Sequence, residues 1–167
     1  CKMKRIDIRK FKQPFVILTI APPLCGKSTY VSKLDLSNII VISRDAIMLE
    51  LHGNDNYDEA YDKLSPKEVN EEMHNRINAA KKANKNVIID MMNLSSKRRK
   101  GTLQQFGKKY YKVGLVFDVP NMKVLKERNE KRKTLENKNI SMELLESLIG
   151  DYKPIVPEEG FDKIITI

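Results

Sequence analysis

The residues best suited to chemistry follow the apolar run Phe15–Ile20, in a segment that ends Gly26-Lys27-Ser28-Thr29. A loop that binds nucleotide phosphates needs inward-facing backbone N–H groups, a lysine for the β- and γ-phosphates and a hydroxyl for magnesium. It must also open a helix, because the helix dipole then faces the phosphates. We therefore predict that this segment binds ATP and that Ser28 binds Mg²⁺. The predicted phosphate-binding residues are Pro23, Leu24, Cys25, Gly26, Lys27, Ser28 and Thr29.

Three positions of this loop depart from the usual pattern. Ala21 stands where the pattern begins with glycine, and alanine serves there if its backbone φ is below zero. Leu24 and Cys25 replace small or glycine residues, and Cys25 is expected to be a tolerated small residue rather than a nucleophile. The alternative is that a Gly-Lys-Ser triplet stands at a helix start by chance. The strand before it and the helix after it argue against chance.

Two polar residues follow the next apolar run, 39–42. Asp45 is a candidate general base, because phosphoryl transfer to a hydroxyl needs a carboxylate that accepts the hydroxyl proton. The alternative is that Asp45 caps a helix starting at Ala46, and the two roles are compatible. Arg44 can pair with a carboxylate or bind phosphate. Both Arg44 and Asp45 are therefore predicted to bind the substrate.

A third apolar run, 87–89, ends at Asp90. A carboxylate at this place typically orders magnesium or its water, so Asp90 is a predicted metal ligand. The alternative is an Asx turn that closes the strand. Asn93 is predicted to orient the same loop by hydrogen bonding and to belong to the substrate site.

Basic residues form two clusters. Residues 128–133 read Arg-Asn-Glu-Lys-Arg-Lys, and such a run usually lies on a solvated helix face. Small P-loop kinases, however, have a mobile lid at this place, and its arginines bind phosphate oxygens in pairs. We therefore predict a lid at about 128–140. The second cluster is expected to touch nucleic-acid phosphates or solvent. Its members are Lys97, Arg98, Arg99 and Lys100.

Alternating strands and helices must position these residues. The predicted strands are 15–20, 39–42, 87–90, 113–117 and 162–167. The predicted helices cover 27–34, 46–51, a segment that begins at Ser65, 96–110, 122–132 and 142–152, with a loop at 52–62. Ser65 and Glu68 form a capping-box pattern with Pro66 at the first helical position. Ser95 or Ser96 and Asn121 are further predicted caps.

This alternation predicts one α/β domain over residues 1–167, with a five-stranded parallel sheet flanked by helices and an N-terminal extension at 1–13. Because crossovers are right-handed, the carboxyl ends of the strands meet at one edge, where ligands bind. The loops after Ile20, Ser43 and Ile89 are therefore expected to lie close together. The loop after Phe117 should join them there.

Composition limits the class of protein. The 167 residues are 41% hydrophobic and 32% charged, which is typical of a folded globular chain. No apolar run approaches the roughly 18 residues that span a bilayer, and no signal peptide is visible, so we expect a cytoplasmic protein without membrane contact. The two cysteines agree with a reduced cytosol. The net charge of +9 favours a nucleic-acid partner, with a solubilising surface as the alternative.

Four segments together resemble the kinase domain of the 5′-hydroxyl polynucleotide kinases, the end-healing enzymes of phages and animals. They are 17–29, Ser43-Arg44-Asp45, 88–94 with Arg98-Arg99 after it, and 117–120 with Glu127-Arg128-Asn129-Glu130-Lys131-Arg132. The tail Pro157-Glu158-Glu159-Gly160-Phe161 is also similar to the end of the animal domain. The likeness extends from about Phe15 to Ile167.

The resemblance implies an adenylate-kinase-like P-loop fold with a short basic lid. It also implies transfer of the γ-phosphate of ATP, with Mg²⁺, to the 5′-hydroxyl end of DNA or RNA. Lys27 and Ser28 would then hold the phosphates and magnesium, and Asp45 would deprotonate the hydroxyl. Arg132 matches the lid arginine that stabilises the transition state, and Arg128 would lie near the nucleotide. The implied catalytic residues are Asp45, Lys27 and Arg132.

Three departures from the family pattern leave two other functions open. Met48 stands where the phage enzyme has an arginine that grips the acceptor phosphate. This favours a kinase for a nucleotide or another small molecule, which the charge of +9 disfavours. Ala21 replaces glycine and Met92 stands where the family often has threonine, which would suit a non-catalytic nucleotide- or nucleic-acid-binding module. The retained lysine, serine, aspartates and lid arginine argue against that third function.

Overall fold

The computed structural model describes residues 5–53, 57–135 and 140–167. The strands are β1 (Phe15–Ile20), β2 (Ile39–Ser43), β3 (Asn86–Asp90), β4 (Tyr111–Val116) and β5 (Lys163–Thr166). The α-helices are α1 (Lys27–Ser32), α2 (Arg44–His52), α3 (Tyr57–Lys63), α4 (Pro66–Lys82), α5 (Ser96–Phe106), α6 (Met122–Leu135) and α7 (Met142–Asp151). Short 3₁₀ turns lie at Ile8–Lys10 and Pro157–Glu159.

The five strands form one parallel sheet in the order β2-β3-β1-β4-β5. Strand β1 lies at the centre, and all of its residues are buried. This position explains the nearly continuous apolar sequence of β1, since a central parallel strand is covered on both faces. The predicted five-stranded parallel sheet is confirmed, and the first and third strands are neighbours in it.

Helices cover both faces of the sheet. Val16 and Leu18 of β1 pack into one core cluster with Ile77 of α4. Ile17 packs into a second cluster with Val31 of α1. The two clusters alternate along β1 because successive strand side chains point to opposite faces. No helix within the described ranges is both long and apolar enough to cross a bilayer.

The predicted helix caps are present. The Ser65 hydroxyl accepts the Glu68 N–H, and the Glu68 carboxylate accepts the Ser65 N–H, which completes the capping box. Asn121 accepts a hydrogen bond from the backbone of the first turn of α6. Ser95 does the same for α5. The sequence alone could predict these caps, because a capping side chain bonds to backbone N–H groups two or three residues further along the chain.

Several element boundaries differ from the prediction. The loop predicted at 52–62 is wrong, because Tyr57–Lys63 forms α3. Its polar composition suggested a loop, but Ala60 is fully buried in the core and Lys63 pairs with Glu59 one helical turn away. Helix α5 ends at Phe106 rather than near Tyr110, since Gly107 has a φ of 64° and terminates it.

Three further boundaries move by a few residues. Helix α2 begins at Arg44, because Ser43 caps it. Strand β4 begins at Tyr111, which pairs with Phe15 at the start of β1. Helix α6 continues to Leu135, so the first part of the predicted lid is helical. Residues 136–139 of that predicted lid lie outside the described residues.

Candidate functional site: a phosphate-binding edge of the sheet

The loop that is predicted to bind phosphates (the phosphate loop, residues 21–26) connects β1 to α1. Two of its residues have a left-handed backbone. Gly26 has a φ of 85° and precedes the first residue of α1. Leu24 has a φ of 67°, which is costly for a residue with a Cβ. Ala21 is not among the described residues with positive φ, so alanine fits where the usual pattern has glycine. The departure at Ala21 therefore leaves the loop conformation intact.

The ammonium group of Lys27 is folded back onto its own loop. Its Nζ atom donates hydrogen bonds of 2.8 Å to the Ala21 carbonyl and 2.7 Å to the Pro22 carbonyl. Burial lowers the pKa of Lys27 to about 8, although the nearby carboxylates of Asp90 and Asp45 favour its charged form. Lys27 is thus a poorly hydrated cation within the loop that is predicted to bind phosphates.

Cys25 lies within the loop and is buried, with its Sγ atom 3.6 Å from the Pro23 carbonyl oxygen. Burial raises the pKa of the Cys25 thiol, despite the nearby charges of Lys27 and Arg128. The neutral thiol is therefore the favoured form, and it is a poor nucleophile. Thr29 follows at the exposed side of the first turn of α1.

Ser28 and Asp90 form the predicted metal pair. The Ser28 hydroxyl donates a hydrogen bond of 2.9 Å to the Asp90 carboxylate, although the two residues are 62 positions apart. A hydroxyl and a carboxylate are hard oxygen donors of the kind that Mg²⁺ prefers, so these residues fit the ion. Across the part of the chain that the structure describes, no group of three or more His, Cys, Asp or Glu side chains could hold a metal. Mg²⁺ at this pair would take its other ligands from water and substrate phosphates.

Asp90 is held in place by Thr19, which sequence reasoning missed. The fully buried Thr19 hydroxyl lies 3.4 Å from the Asp90 carboxylate and 2.9 Å from the Met91 carbonyl, and it accepts the Met91 N–H at 3.1 Å. Burial raises the pKa of Asp90, whereas the bond from Ser28 and the charge of Lys27 lower it. A sequence feature that could have indicated this role is the hydroxyl of Thr19 within the otherwise apolar sequence of β1.

Asp45 lies in the first turn of α2, beside the metal pair. Strand pairing places Ser43 opposite Asp90, two residues before Asp45. Ser43 rather than Asp45 caps α2, because the Ser43 side chain accepts the Ala46 N–H. The capping alternative for Asp45 is therefore wrong. Its charge acts on the site instead, since it raises the pKa values of both Lys27 and Asp90.

Arg44 and Met48, near Asp45 in the sequence, contact other parts of the fold. Arg44 donates a hydrogen bond of 2.5 Å to the Asn70 side chain of α4 and contacts the Met73 sulfur. Met48 is only 4% exposed and packs in the core. The role predicted for Arg44 in substrate binding stays a prediction.

The arginines of the predicted lid face the phosphate loop from α6. Arg128 donates a hydrogen bond of 2.6 Å to the Leu24 carbonyl oxygen. Arg132, one helical turn further on, is half-buried, and its charge contributes to lowering the pKa of Lys27. The two arginines are four residues apart and therefore lie on the same face of the helix.

Asn129 connects the helical part of the lid to the chain that returns from it. Its amide group donates to the Ile140 carbonyl at 2.6 Å and accepts the Ile140 N–H at 3.2 Å. Asn129 is 7% exposed, between the two lid arginines in sequence. Sequence reasoning missed this contact, because nothing local distinguishes this asparagine from the polar residues around it.

The second basic cluster divides between core and surface. Arg99 is fully buried, so the expectation that it touches phosphates or solvent is wrong. The other three members, Lys97, Arg98 and Lys100, are exposed. Arg99 points inward because every third or fourth helical residue faces the core.

Asn93, in the loop before α5, donates a hydrogen bond of 2.8 Å to the Thr19 carbonyl.

Comparison with known proteins places this arrangement in a family. A family model described as an AAA domain matches residues 16–155. No curated protein matches the chain by sequence. Among solved structures, the chain is similar to one in the Pnkp1/Rnl/Hen1 RNA repair complex, with 21% identity and a TM-score of 0.67 over 88% of this chain and 46% of the other.

Two further solved structures are similar over most of both chains. Kti12 from Chaetomium thermophilum in complex with ADP-AlF3 has 14% identity and a TM-score of 0.64, covering 91% of this chain and 88% of that one. Shikimate kinase from Aquifex aeolicus has 17% identity and a TM-score of 0.54, covering 91% and 86%. At such identities the likeness establishes a P-loop kinase-like fold. The chain spans less than half of the length of the RNA repair chain that it matches.

Proposed function

The chain belongs to the AAA domain family, and we propose that it is an ATP-dependent kinase of the 5′-hydroxyl ends of DNA or RNA. The observation that carries this proposal is the pair of contacts that joins the phosphate loop to two other elements: Ser28 bonds to Asp90 at the end of β3, and Arg128 of α6 bonds to the Leu24 carbonyl. Asp90, Asp45 and Arg132 each act on the pKa of Lys27, although they come from three different elements. A cation for phosphates, a carboxylate pair and a lid arginine are the parts that phosphoryl transfer needs.

The phosphate loop would bind the donor, ATP. When ATP binds, the Lys27 ammonium would give up its hydrogen bonds to the Ala21 and Pro22 carbonyls and bond to oxygens of the β- and γ-phosphates instead. The phosphate oxygens are stronger acceptors because they are charged. Ser28 and Asp90 would hold Mg²⁺, which neutralises phosphate charge when bound. Arg128 would lie near the nucleotide from its place on the Leu24 carbonyl.

Asp45 would act on the acceptor. The acceptor oxygen forms a bond to the γ-phosphorus while the bond from that phosphorus to the β–γ bridging oxygen breaks, and ADP leaves. Asp45 takes the proton that the hydroxyl loses, which raises the negative charge on the attacking oxygen. Arg132 stabilises the charge that spreads over the equatorial oxygens, as a planar guanidinium does in other phosphoryl transfers.

Three observations support a nucleic-acid acceptor. The net charge of +9 favours a polyanionic partner, and Lys97, Arg98 and Lys100 are exposed on the helix that follows the Asp90 loop. The fold is also similar to that of a chain in an RNA repair complex. Contacts to the 2′-hydroxyl would distinguish an RNA acceptor from a DNA acceptor.

A second candidate is a kinase for a nucleotide or another small molecule. The buried Met48 favours it, because this position offers no cation to an acceptor phosphate. The similarity in fold to shikimate kinase is compatible with both acceptor classes.

Transfer of labelled γ-phosphate tests the proposal. The protein is incubated with labelled ATP, Mg²⁺ and a 5′-hydroxyl oligonucleotide, with deoxynucleosides, mononucleotides and small alcohols in parallel reactions. Label on the oligonucleotide that disappears in Asp45→Asn supports the proposal. Label on a small molecule alone supports the second candidate. Bound ATP without transfer to any acceptor would indicate a non-catalytic nucleotide-binding module.

A further inference from the structure

A buried ion pair joins helix α5 to the C-terminal segment. The Arg99 guanidinium donates hydrogen bonds to both carboxylate oxygens of Glu159, at 2.5 and 2.9 Å. Arg99 is fully buried and Glu159 is 2% exposed. The hydrogen bonds from Arg99 and Val156 lower the pKa of Glu159 against the opposing effect of burial. Glu159 is therefore a charged carboxylate, placed four residues beyond the end of the matched family region.

The Arg99 guanidinium also bonds to the loop that follows Asp90. Arg99 Nη1 donates to the carbonyl oxygens of Asn93 and Leu94, both at 3.0 Å. Its Nη2 atom lies 3.2 Å from the Pro154 carbonyl oxygen, in the C-terminal segment. A buried guanidinium presents five N–H donors in a rigid plane, so one side chain can hold several acceptors in fixed positions.

This loop in turn fixes the metal pair. The Asn93 side chain donates to the Thr19 carbonyl, and the Thr19 hydroxyl holds the backbone of Met91 beside Asp90. The Met92 carbonyl oxygen accepts the Ala21 N–H at 3.0 Å. This bond joins the 90–94 loop to the start of the phosphate loop. A continuous set of hydrogen bonds therefore runs from Glu159 through Arg99 to the Asp90 carboxylate.

We propose that Arg99 and Glu159 are positioning residues for Mg²⁺ binding, because they hold the 90–94 loop so that Asp90 faces Ser28. Neither side chain reaches the site itself. Arg99 acts through the carbonyls of Asn93 and Leu94, and Glu159 orients and neutralises Arg99. The turn Pro157–Glu159 thus supports the nucleotide site from outside it. This inference rests on the nucleotide-binding part of the proposed function and not on the identity of the acceptor.

Nucleotide binding at varied Mg²⁺ concentration tests this inference. A fluorescent ATP analogue is titrated into the wild type, Arg99→Lys and Glu159→Gln, first in EDTA and then at increasing Mg²⁺. We expect the Mg²⁺ concentration for half-maximal enhancement of binding to rise about tenfold or more, the usual effect of losing an outer-shell partner. Binding in EDTA should change by less than about twofold, because the phosphate loop keeps its own contacts.

Matched controls separate positioning from folding. Glu158→Gln changes the exposed neighbour of Glu159, and Arg76→Lys changes an arginine paired with Glu50 and Glu72 on the surface of α4. Both should keep the wild-type Mg²⁺ midpoint. A purely structural role for Arg99 would reduce the folded fraction, and binding would then fall equally with and without Mg²⁺. That equal loss, or an unchanged Mg²⁺ midpoint in folded variants, would overturn the inference.

Two further variants keep the test decisive if the buried pair proves necessary for folding. Asn93→Ala removes the bond to Thr19 without altering the ion pair, and we expect the same rise in the Mg²⁺ midpoint. The double exchange Arg99→Glu/Glu159→Arg should not restore the wild-type midpoint, because a carboxylate cannot donate to the Asn93 and Leu94 carbonyls. Restoration by the exchange, or no effect of Asn93→Ala, would contradict the proposed positioning. A wild type that binds no nucleotide would overturn the proposed function and this inference together.

Discussion

The Nη1 group of Arg128 on helix α6 donates a hydrogen bond of 2.6 Å to the carbonyl oxygen of Leu24 in the phosphate loop. The Leu24 side chain packs in a separate small cluster with Leu125 of α6 and Leu145 of α7. The helices that border the predicted lid are therefore attached to the phosphate loop by polar and apolar contacts. This attachment offsets the cost of the left-handed backbone at Leu24. Arg132 lies one helical turn beyond Arg128 on the same face of α6.

Arg132 gives the first prediction. Arg132→Ala should reduce the turnover number by roughly 10³–10⁵ if the guanidinium acts as an arginine finger. The affinity for ATP should change much less, because the phosphate loop itself is unaltered. Steady-state transfer of labelled phosphate measures both quantities. Lys133→Ala removes an exposed neighbouring cation and should have little effect. A small loss in Arg132→Ala would rule out a transition-state role for this lid residue.

Asp45 gives the second prediction. Asp45→Asn should reduce turnover by roughly 10²–10⁴, the usual contribution of a general base, and leave ATP binding intact. Stability should change little, since Ser43 and not Asp45 caps α2. Kinetics and thermal melting measure the two effects separately. Glu50→Gln, an exposed change on the same helix, provides the control. Turnover near that of the wild type would exclude Asp45 as the base.

The lowered pKa of Lys27 gives a prediction of pH dependence. The folded, nucleotide-free protein should lose the Lys27 proton as pH rises through about 8, whereas the unfolded chain keeps it to about 10.5. The charged ammonium therefore destabilises the folded state below pH 8, and this cost disappears as pH rises towards 10.5. Phosphates bind the charged form, so ATP affinity should fall by up to about tenfold per pH unit above 8.

Binding isotherms between pH 7 and about 9.5 measure this dependence. Lys27→Met should bind ATP weakly, without the decline above pH 8. Lys33→Met, at an exposed position after α1, should retain the wild-type profile. An affinity for ATP that stays constant from pH 7.5 to 9.5 in the wild type would contradict a buried, easily deprotonated Lys27.

The metal pair gives the fourth prediction. Ser28→Ala should raise the Mg²⁺ concentration needed for half-maximal nucleotide binding by at least about tenfold, because it removes an oxygen ligand. The variant should remain folded, since the Ser28 side chain is exposed. Ser32→Ala removes a hydroxyl that donates to the Thr29 carbonyl within α1, and it provides the control. Wild-type Mg²⁺ dependence in Ser28→Ala would exclude the serine as a ligand.

Local patterns in the sequence were sufficient for much of this protein. The apolar runs predicted the strands, and Ser65 with Glu68 predicted the start of α4, since caps and strand burial depend on residues close in the chain. The Gly26-Lys27-Ser28 motif after a buried strand predicted a loop that opens a helix, and α1 begins at Lys27. Right-handed crossovers then predicted that Asp45 and Asp90 lie at one edge of the sheet. Strand pairing of Ser43 with Asp90 agrees with that expectation.

Other features depend on contacts between residues far apart in sequence, and only the tertiary structure decided them. Arg99 looked like a surface cation in a basic cluster, but Glu159, 60 residues later, provides the buried carboxylate that makes its burial tolerable. Thr19 looked like part of a strand, but the Met91 backbone gives its hydroxyl a partner. Local sequence specifies backbone conformation, because caps and turns act over a few residues. The partner of a buried polar group is specified by the packing of whole elements, which no short segment contains.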